Sequence, residues 1–152
     1  MTEFYTKRMI AKSDIVIESG FFREEKPDNL TNILELKPMT GEENGFVFYD
    51  KDNLEKKICH VYFVGKRGRF EISCGTEKEY RNKGFMTEAI EALCQWIFQS
   101  TNYEEIWALP SNPTSVRVLE KNDFIKDEKL SDEINMFWYF KKSIFIQKVE
   151  NK

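Results

Sequence analysis

Aromatic and β-branched residues are concentrated in three short runs near the middle of the chain, separated by polar links. The runs are GFVFYD at 45–50, KKICHVYFVG at 56–65 and RFEISCG at 69–75. Runs of this composition and length are typical of β-strands. The link KRG ends in Gly68, which can take the positive φ of a hairpin loop. The pattern therefore predicts three consecutive strands joined as an antiparallel meander.

After these strands the hydrophobic period changes. Apolar residues recur every three or four positions from about Phe85 to Gln99, which predicts an amphipathic helix. EEIWALP at 104–110 is typical of a buried strand, and Asn112 followed by Pro113 suits the N-cap and first position of a second helix. The segment MFWYFKKSIFI at 136–146 predicts one or two closing strands.

The first 44 residues have a weaker pattern. Met9 with Ile10, and the run 15–17, are compatible with strands, whereas 29–36 is compatible with a short helix. Because 152 residues is about the length of one domain, the chain 1–152 is interpreted as a single domain. Strands, helix, strand, helix and strand in this order indicate a mixed α/β fold.

Composition and charge exclude several kinds of protein. Hydrophobic residues make up 41% of the chain and aromatic residues 14%, which is enough for a core and argues against intrinsic disorder. A net charge of −3 gives no general driving force for binding nucleic acid. No apolar run approaches the ~18 residues of a membrane span, and the first residues lack the apolar region of a signal peptide. We therefore expect a cytoplasmic protein with no nucleic-acid or membrane partner.

The number and spacing of the histidine and cysteine residues argue against several kinds of functional site. His60 is the single histidine, which excludes a multi-histidine metal site and makes a serine-hydrolase triad depend on that one position. Cys59, Cys74 and Cys94 are odd in number and share no CxxC spacing. This pattern is typical of reduced, buried thiols rather than a disulfide framework. We expect a site without metal.

The segment between the strand at 69–75 and the first helix carries the strongest functional signal. The first N–H groups of a helix are unpaired and lie at the positive end of its dipole, so they bind anions. Arg81 and Lys83 add positive charge there, and Gly84 lets the backbone approach a pyrophosphate closely. The phosphate motifs GxxxxGK[ST] and GxGxxG are absent from the sequence. The loop therefore predicts a phosphate site of another kind.

The segment YRNKGFMTEAIEALCQWIF, taken with the downstream SNPTSVRVLEKNDF, resembles the GNAT superfamily of acetyl-CoA-dependent N-acetyltransferases. The pyrophosphate loop of that family reads roughly [RQ]xxGx[GA]; Arg81 and Gly84 match it, and Met86 departs from it. The downstream segment resembles the branch related to ribosomal-protein N-terminal (alanine/serine) acetyltransferases, although Asp123 replaces a Gly of the pattern. The positions that match in this segment are Asn112, Ser115, Leu119, Glu120, Lys121 and Phe124.

This resemblance, which covers about residues 45 to 140, implies both a fold and an activity. The fold is a central mixed, mostly antiparallel sheet of about six or seven strands flanked by helices, with two central strands splayed to form an acetyl-CoA cleft. The activity is transfer of an acetyl group from acetyl-CoA, as co-substrate and without a metal, to a primary amine by direct attack in a ternary complex. The implied cofactor-binding residues are Ile72, Ser73 and Cys74 for the pantetheine, Arg81, Asn82, Lys83, Gly84, Phe85, Met86 and Thr87 for the pyrophosphate, and Asn112 and Ser115.

Candidate catalytic residues follow from the same resemblance. Many members of the family have a Tyr that serves the leaving thiolate, but the matching residue here is Leu119; in the related branch a Ser matching Ser115 is proposed for this role. Glu71 could take the proton of the amine through one water, and His60, with an ordinary pKa near ~6.5, is the second candidate base. Water alone can also deprotonate the amine.

Several alternatives stay open at this point. A catalytically silent CoA-binding or regulatory domain would keep the phosphate loop and lose turnover. The acceptor can be the α-amine of a protein or peptide, a polyamine, an aminoglycoside or a small metabolite amine. The protein can be a monomer or a homodimer.

Overall fold

The computed structural model describes residues 2–13, 16–19, 32–35, 45–66, 69–101, 103–132 and 135–150. Within these ranges a series of strands precedes the first helix, and strands and helices alternate afterwards. In chain order the elements are β1 (Thr2–Tyr5), β2 (Met9–Ser13), β3 (Val16–Ser19), β4 (Asn32–Glu35), β5 (Gly45–Asp50), β6 (Asn53–Lys66), β7 (Arg69–Thr76), a 3₁₀ turn (Lys78–Tyr80), α1 (Phe85–Ser100), β8 (Glu105–Ala108), α2 (Pro113–Lys121), β9 (Ile125–Lys126), β10 (Trp138–Lys141) and α3 (Lys142–Glu150).

Eight of these strands form one sheet in the order β1-β2-β5-β6-β7-β8-β10-β9, and β3 pairs with β4 in a separate two-stranded sheet. In the large sheet β7 and β8 run parallel, and the other neighbouring strands are antiparallel. The predicted meander is confirmed as β5, β6 and β7, and so is the mixed, mostly antiparallel sheet. The expected count of six or seven strands is slightly low, because the pattern gave no sign of β1 or of the two-residue β9, which form the two edges.

The large sheet and α1 enclose the hydrophobic core between them. Along β6, Cys59, Val61 and Phe63 are fully buried, whereas His60 and Tyr62 lie half-buried on the opposite face, as the alternation of side chains in a strand requires. Helix α1 covers the first face. Each large side chain buried in this way contributes about 1.5–3 kcal/mol. The buried residues of α1 are Ala89, Ile90, Leu93, Cys94, Ile97 and Phe98.

Both predicted helices are present. Helix α1 spans the range expected from its period, with one residue more at its C-terminal end. Helix α2 begins at Pro113, and the side chain of its N-cap Asn112 accepts a hydrogen bond of 2.9 Å from the backbone N–H of Ser115. This bond satisfies one of the N–H groups that the helix itself cannot pair. The predicted strand at 104–110 is observed as β8.

Two assignments made from the sequence are wrong in part. In the segment 136–146, for which one or two strands were predicted, Trp138–Lys141 form the one strand β10, and the residues from Lys142 belong to α3 and not to a second strand. A short apolar run does not distinguish strand from helix by its period. Within 29–36, the described residues Asn32–Glu35 form a strand and not a helix, because they pair with β3.

Two other predicted features, a strand position for Ile15 and the hairpin turn at Gly68, lie outside the described residues. The strands expected around Met9 and at 16–17 are observed as β2 and β3. Among the helices in the described ranges, none is long and apolar enough to cross a membrane.

Candidate functional site

The neighbouring parallel strands β7 and β8 separate within the sheet. Strand β7 continues to Thr76, whereas β8 ends at Ala108, two residues before Pro110. Proline has no N–H with which to continue a ladder. The second half of β7 therefore has no partner on the side of β8, and its backbone edge borders a gap between the two strands. We call the point where the two strands separate the fork. The residues paired next to it are Glu71 with Trp107 and Ile72 with Ala108.

A cavity of about 680 Å³ lies beside this gap. Its walls are the end of β7, the loop that leads into α1, the first turn of α1, and α2. Nine of the residues predicted to bind the cofactor line it and are thereby brought together from three elements. They are Cys74, Arg81, Asn82, Gly84, Phe85, Met86, Thr87, Asn112 and Ser115.

The remaining predicted residues do not line the cavity. Ile72 is buried in the core between the sheet and α1. Ser73 is exposed, and Glu71 is buried on the same face of the sheet as Ser73, opposite to Ile72. Glu71 nevertheless lies at the fork itself. His60 is on β6, one strand further from the cavity, where its ring stacks on Tyr62 at 4.2 Å.

The loop before α1 has the backbone shape of an anion site. Asn82 and Gly84 have φ values of 62° and 80°, which are left-handed conformations. Left-handed residues in such a loop turn successive N–H groups toward a common concave side. Gly84 is the N-cap of α1 and provides no side chain to occupy the first N–H groups of the helix. A Cβ on Gly84 would lie 3.5 Å from the Nη2 of Arg8, so the left-handed backbone, more than space, favours glycine there.

Arg8, in the turn between β1 and β2, holds this loop from outside the cavity. Its Nη1 donates a hydrogen bond of 3.1 Å to the backbone carbonyl of Lys83. Its guanidinium carbon lies 3.9 Å from the centre of the Phe85 ring, in a cation–π contact. Its Nε donates to Oε1 of Glu88 at 2.7 Å. The exposed Lys83 therefore contributes its carbonyl to the support of the loop.

Glu88, in the first turn of α1, accepts the hydrogen bonds that hold Arg8 in this position. Its Oε2 accepts hydrogen bonds from the Thr6 hydroxyl at 2.5 Å and from the Arg8 backbone N–H at 2.8 Å. Partial burial raises the pKa of Glu88, but these hydrogen bonds and the charge of Arg8 outweigh it, so the pKa lies below its ordinary value. The carboxylate therefore stays charged at neutral pH. No sequence pattern indicated this contact, which joins residues 80 positions apart.

Two further contacts close the loop onto the sheet. The Nε of Arg81 donates to the backbone carbonyl of Thr76 at 3.1 Å, which ties the loop to the end of β7. The ring of Tyr80 meets the ring of Phe85 edge to face at 5.5 Å. The loop is thus fixed at both of its ends, with the first turn of α1 directed at the cavity.

The wall formed by α2 contains residues that the sequence analysis did not single out. Thr114, Arg117, Val118 and Lys121 line the cavity from this helix. Among the lining residues that the structure describes, every charged side chain is basic, in a chain of net charge −3. The spacing of four between Arg117 and Lys121 places both on one helix face and is the signal that would have found them.

The groups near the fork differ in their chemistry. Burial raises the pKa of the Cys74 thiol to about 11, so it stays protonated at neutral pH and is a poor nucleophile. Leu119 is buried in the core and offers no polar group to the cavity. Ser115 is half-buried and is one of the residues that line the cavity. In the described residues, no group of three or more His, Cys, Asp or Glu could hold a metal ion.

The turn after α2 contains Asp123, which replaces the glycine of the related sequence pattern. Asp123 has a φ of 67°, the left-handed conformation for which the related pattern has glycine. Asp adopts this conformation more readily than most residues do. Its carboxylate forms an ion pair with Lys148 of α3. The replacement therefore leaves the turn before Phe124 intact.

The separation of β7 and β8, together with a cavity whose charged lining residues are all basic, is typical of an α/β protein that binds an anionic ligand. Residues 11–125 match the family model described as an acetyltransferase (GNAT) domain. The chain belongs to the GNAT acetyltransferase family, whose members use acetyl-CoA. The resemblance seen in the two sequence motifs is thereby confirmed.

Individual relatives agree with this family. The chain is similar to an uncharacterized N-acetyltransferase, YnaD, of Bacillus subtilis (strain 168), with 30% identity over 107 residues, or 69% of this chain; the match spans 61% of that protein. Among solved structures, it resembles ribosomal-protein-S5-alanine acetyltransferase from Vibrio fischeri (TM-score 0.58, 16% identity, 93% of this chain and 97% of the other). It also resembles spermidine N-acetyltransferase from Vibrio cholerae, solved with CoA and spermine (TM-score 0.57, 18% identity, 83% and 74%). At these identities the structures agree in fold.

Proposed function

We propose that the protein is an acetyl-CoA-dependent N-acetyltransferase that moves an acetyl group to a primary amine by direct attack in a ternary complex. The observation that carries this proposal is the position of the phosphate-loop cavity beside the fork of β7 and β8. An unpaired strand edge and an anion loop within one cavity suit a ligand with an amide-containing arm and a pyrophosphate. Acetyl-CoA has both.

The residues of the cavity fit such a ligand. The backbone of β7 around Cys74 would pair with the amide groups of the pantetheine arm, as an added strand does. The N–H groups at the start of α1, with Arg81 and the left-handed loop residues, would hold the pyrophosphate. A volume of about 680 Å³ lies within the range of small-molecule sites. Asn112 is engaged in capping α2 through its side-chain oxygen.

The reaction requires a group that accepts the proton of the amine and a group that stabilises the leaving sulfur. The amine nitrogen bonds to the acetyl carbon, the carbon–sulfur bond breaks, and the proton lost by the amine balances the thiol formed. In the proposal, Ser115 donates a hydrogen bond to the departing sulfur, and Glu71, at the fork, accepts the proton through a water. His60 is the second candidate base. The high pKa of Cys74 supports direct attack over a covalent acyl-cysteine, which would need a thiolate.

A catalytically silent CoA-binding domain is the second candidate. Its support is Leu119, which occupies the position of the family's thiolate-serving Tyr and is buried in the core. Both candidates require CoA binding and differ only in turnover. The reducing cytoplasm is the proposed location, because all three cysteines lack a disulfide.

Binding is tested first, by thermal unfolding with acetyl-CoA. A ligand at 100 times its Kd stabilises the native state by about 2.7 kcal/mol, which raises the Tm of a domain of this size by roughly 5–10 °C. Arg81→Ala should lose most of this shift. The control is Lys56→Ala, which removes an exposed charge of β6 outside the cavity. A wild-type protein whose Tm does not respond to saturating acetyl-CoA would refute both candidates.

Turnover is tested second, by thiol release from acetyl-CoA with a panel of amines. The panel contains peptides with N-terminal Ala or Ser, polyamines, aminoglycosides and small amines, because similar structures act on a ribosomal protein and on spermidine. Ser115→Ala should lower kcat and leave acetyl-CoA affinity nearly unchanged. Binding without thiol release for every amine would favour the silent domain.

A further inference from the structure

Two cations on α2 face the cavity without an anionic partner among the described residues. Arg117 and Lys121 are exposed and both line the cavity. Neither takes part in an ion pair within the described chain; the guanidinium of Arg117 contacts the Thr114 hydroxyl at 3.4 Å. Like charges four residues apart destabilise a helix slightly. The pair therefore has a small unfavourable energy that an anion in the cavity would offset.

The position of Lys121 near the C-terminal end of α2 does not explain why Arg117 is also basic. Lys121 lies in the last turn of α2, where a cation favours the helix dipole. Arg117 lies in the middle of the helix and gains nothing from the dipole. Arg81 and the start of α1 already provide donors for one anionic group. The cavity thus has cationic residues on two elements, the loop before α1 and helix α2, which suits a ligand with more than one phosphate group.

We propose that Arg117 and Lys121 form a second anion subsite that takes the 3′-phosphate of CoA and selects CoA over dephospho-CoA. This inference rests on the proposed function. In CoA the 3′-phosphate is attached to the ribose that also carries the pyrophosphate, so one sugar separates the two anionic groups. A phosphomonoester carries a charge of about −1.5 to −2 at pH 7, which two cations match. The planar fork of Arg117 can bind two of its oxygens at once.

The test compares the affinities of CoA and dephospho-CoA for the wild-type protein by calorimetry. Hydrogen bonds between oppositely charged groups stabilise a complex, and solvent exposure reduces their contribution. We therefore expect CoA to bind roughly tenfold more tightly. The preference should fall as the salt concentration rises, because exposed charges are screened.

The double variant Arg117→Gln/Lys121→Gln separates this subsite from the phosphate loop. Its preference for CoA should fall below about threefold, because its affinity for CoA falls more than its affinity for dephospho-CoA. The control is Lys56→Gln/Lys129→Gln, which removes the same charge from exposed positions outside the cavity and should keep the wild-type preference. If the double variant does not fold, Arg117→Gln alone should show a reduced preference.

The outcomes distinguish the two proposals. Equal binding of CoA and dephospho-CoA to the wild type overturns the second subsite and leaves the proposed function in place. A preference that survives in the folded double variant also overturns it. If neither ligand binds the wild type, the proposed function itself fails, and the subsite fails with it.

Discussion

The substitution Glu88→Gln tests whether the contact of α1 with the β1–β2 turn stabilises the fold. The carboxylate accepts three hydrogen bonds, from the Thr6 hydroxyl, the Arg8 N–H and the Arg8 Nε. A Gln side chain can keep the two bonds to one oxygen, but its NH₂ group then faces the Arg8 Nε donor. One charge-assisted bond is lost, worth about 1.5–3 kcal/mol when well shielded. Because the Arg8 side chain is 40% exposed, we expect a loss of about 1–2 kcal/mol.

The same substitution has a defined pH dependence. The pKa of Glu88 is lowered in the folded protein, whereas in the unfolded chain it lies near ~4.3. A lowered pKa stabilises the fold fully above the unfolded value, and this stabilisation is lost as the pH falls through the folded value. Gln does not titrate. The difference in stability between wild type and variant should therefore be constant near neutral pH and shrink below about pH 4.3.

The assay is thermal and urea unfolding of both proteins between pH 7 and pH 3. A loss of 1–2 kcal/mol corresponds to a lower Tm by roughly 2–8 °C for a domain of this size. Glu91→Gln is the matched control, because Glu91 is exposed on the same helix and should change the Tm by less than about 2 °C. The reasoning is refuted if Glu88→Gln behaves like Glu91→Gln, or if its effect does not change as Glu88 is protonated.

Two further predictions concern the turn after α2 and the thiol in the cavity. Asp123→Gly should relieve the left-handed backbone at φ 67° and, in a Lys148→Gln background where the exposed ion pair is already absent, stabilise the protein by about 1 kcal/mol in urea unfolding; a loss of stability in that background would contradict this. Cys74, with its pKa raised to about 11, should react with iodoacetamide much more slowly at pH 7.5 than an unstructured cysteine peptide, and acetyl-CoA should slow it further. Rapid labelling at pH 7.5, measured by mass spectrometry, would count against the protonated thiol.

The parts of the fold that could be predicted are those encoded by local periods. Helix α1 has an apolar residue every three or four positions, and α2 has its Asn112–Pro113 start, so α1 was predicted to within one residue and α2 was predicted at its start. Strands β5 to β7 are rich in aromatic and β-branched residues and are joined by short links. In each of these cases the information lies within about 15 residues, which a pattern of hydrophobicity can carry.

The elements that were missed depend on contacts between distant segments. The run 144–146 in α3 is as apolar as a strand, and its local composition does not distinguish a strand from the helix that is observed. The strand Asn32–Glu35 exists because Val16–Ser19 pairs with it. Arg8 and Glu88 meet across 80 positions and belong to no repeating pattern. The local sequence pattern of each segment does not predict such pairings.

The candidate site also has one part that could be predicted from the local sequence and one part that could not. The phosphate loop joins β7 directly to α1, so its residues are consecutive and its motif could be recognised before the fold was known. A second part of the cavity wall comes from α2, about 30 residues later, and depends on β8 lying beside β7. The sequence analysis included Pro110 in the strand 104–110, whereas β8 ends at Ala108 and β7 continues to Thr76. The unpaired end of β7, and with it the position of the cavity, therefore follows from where two strands of different length meet.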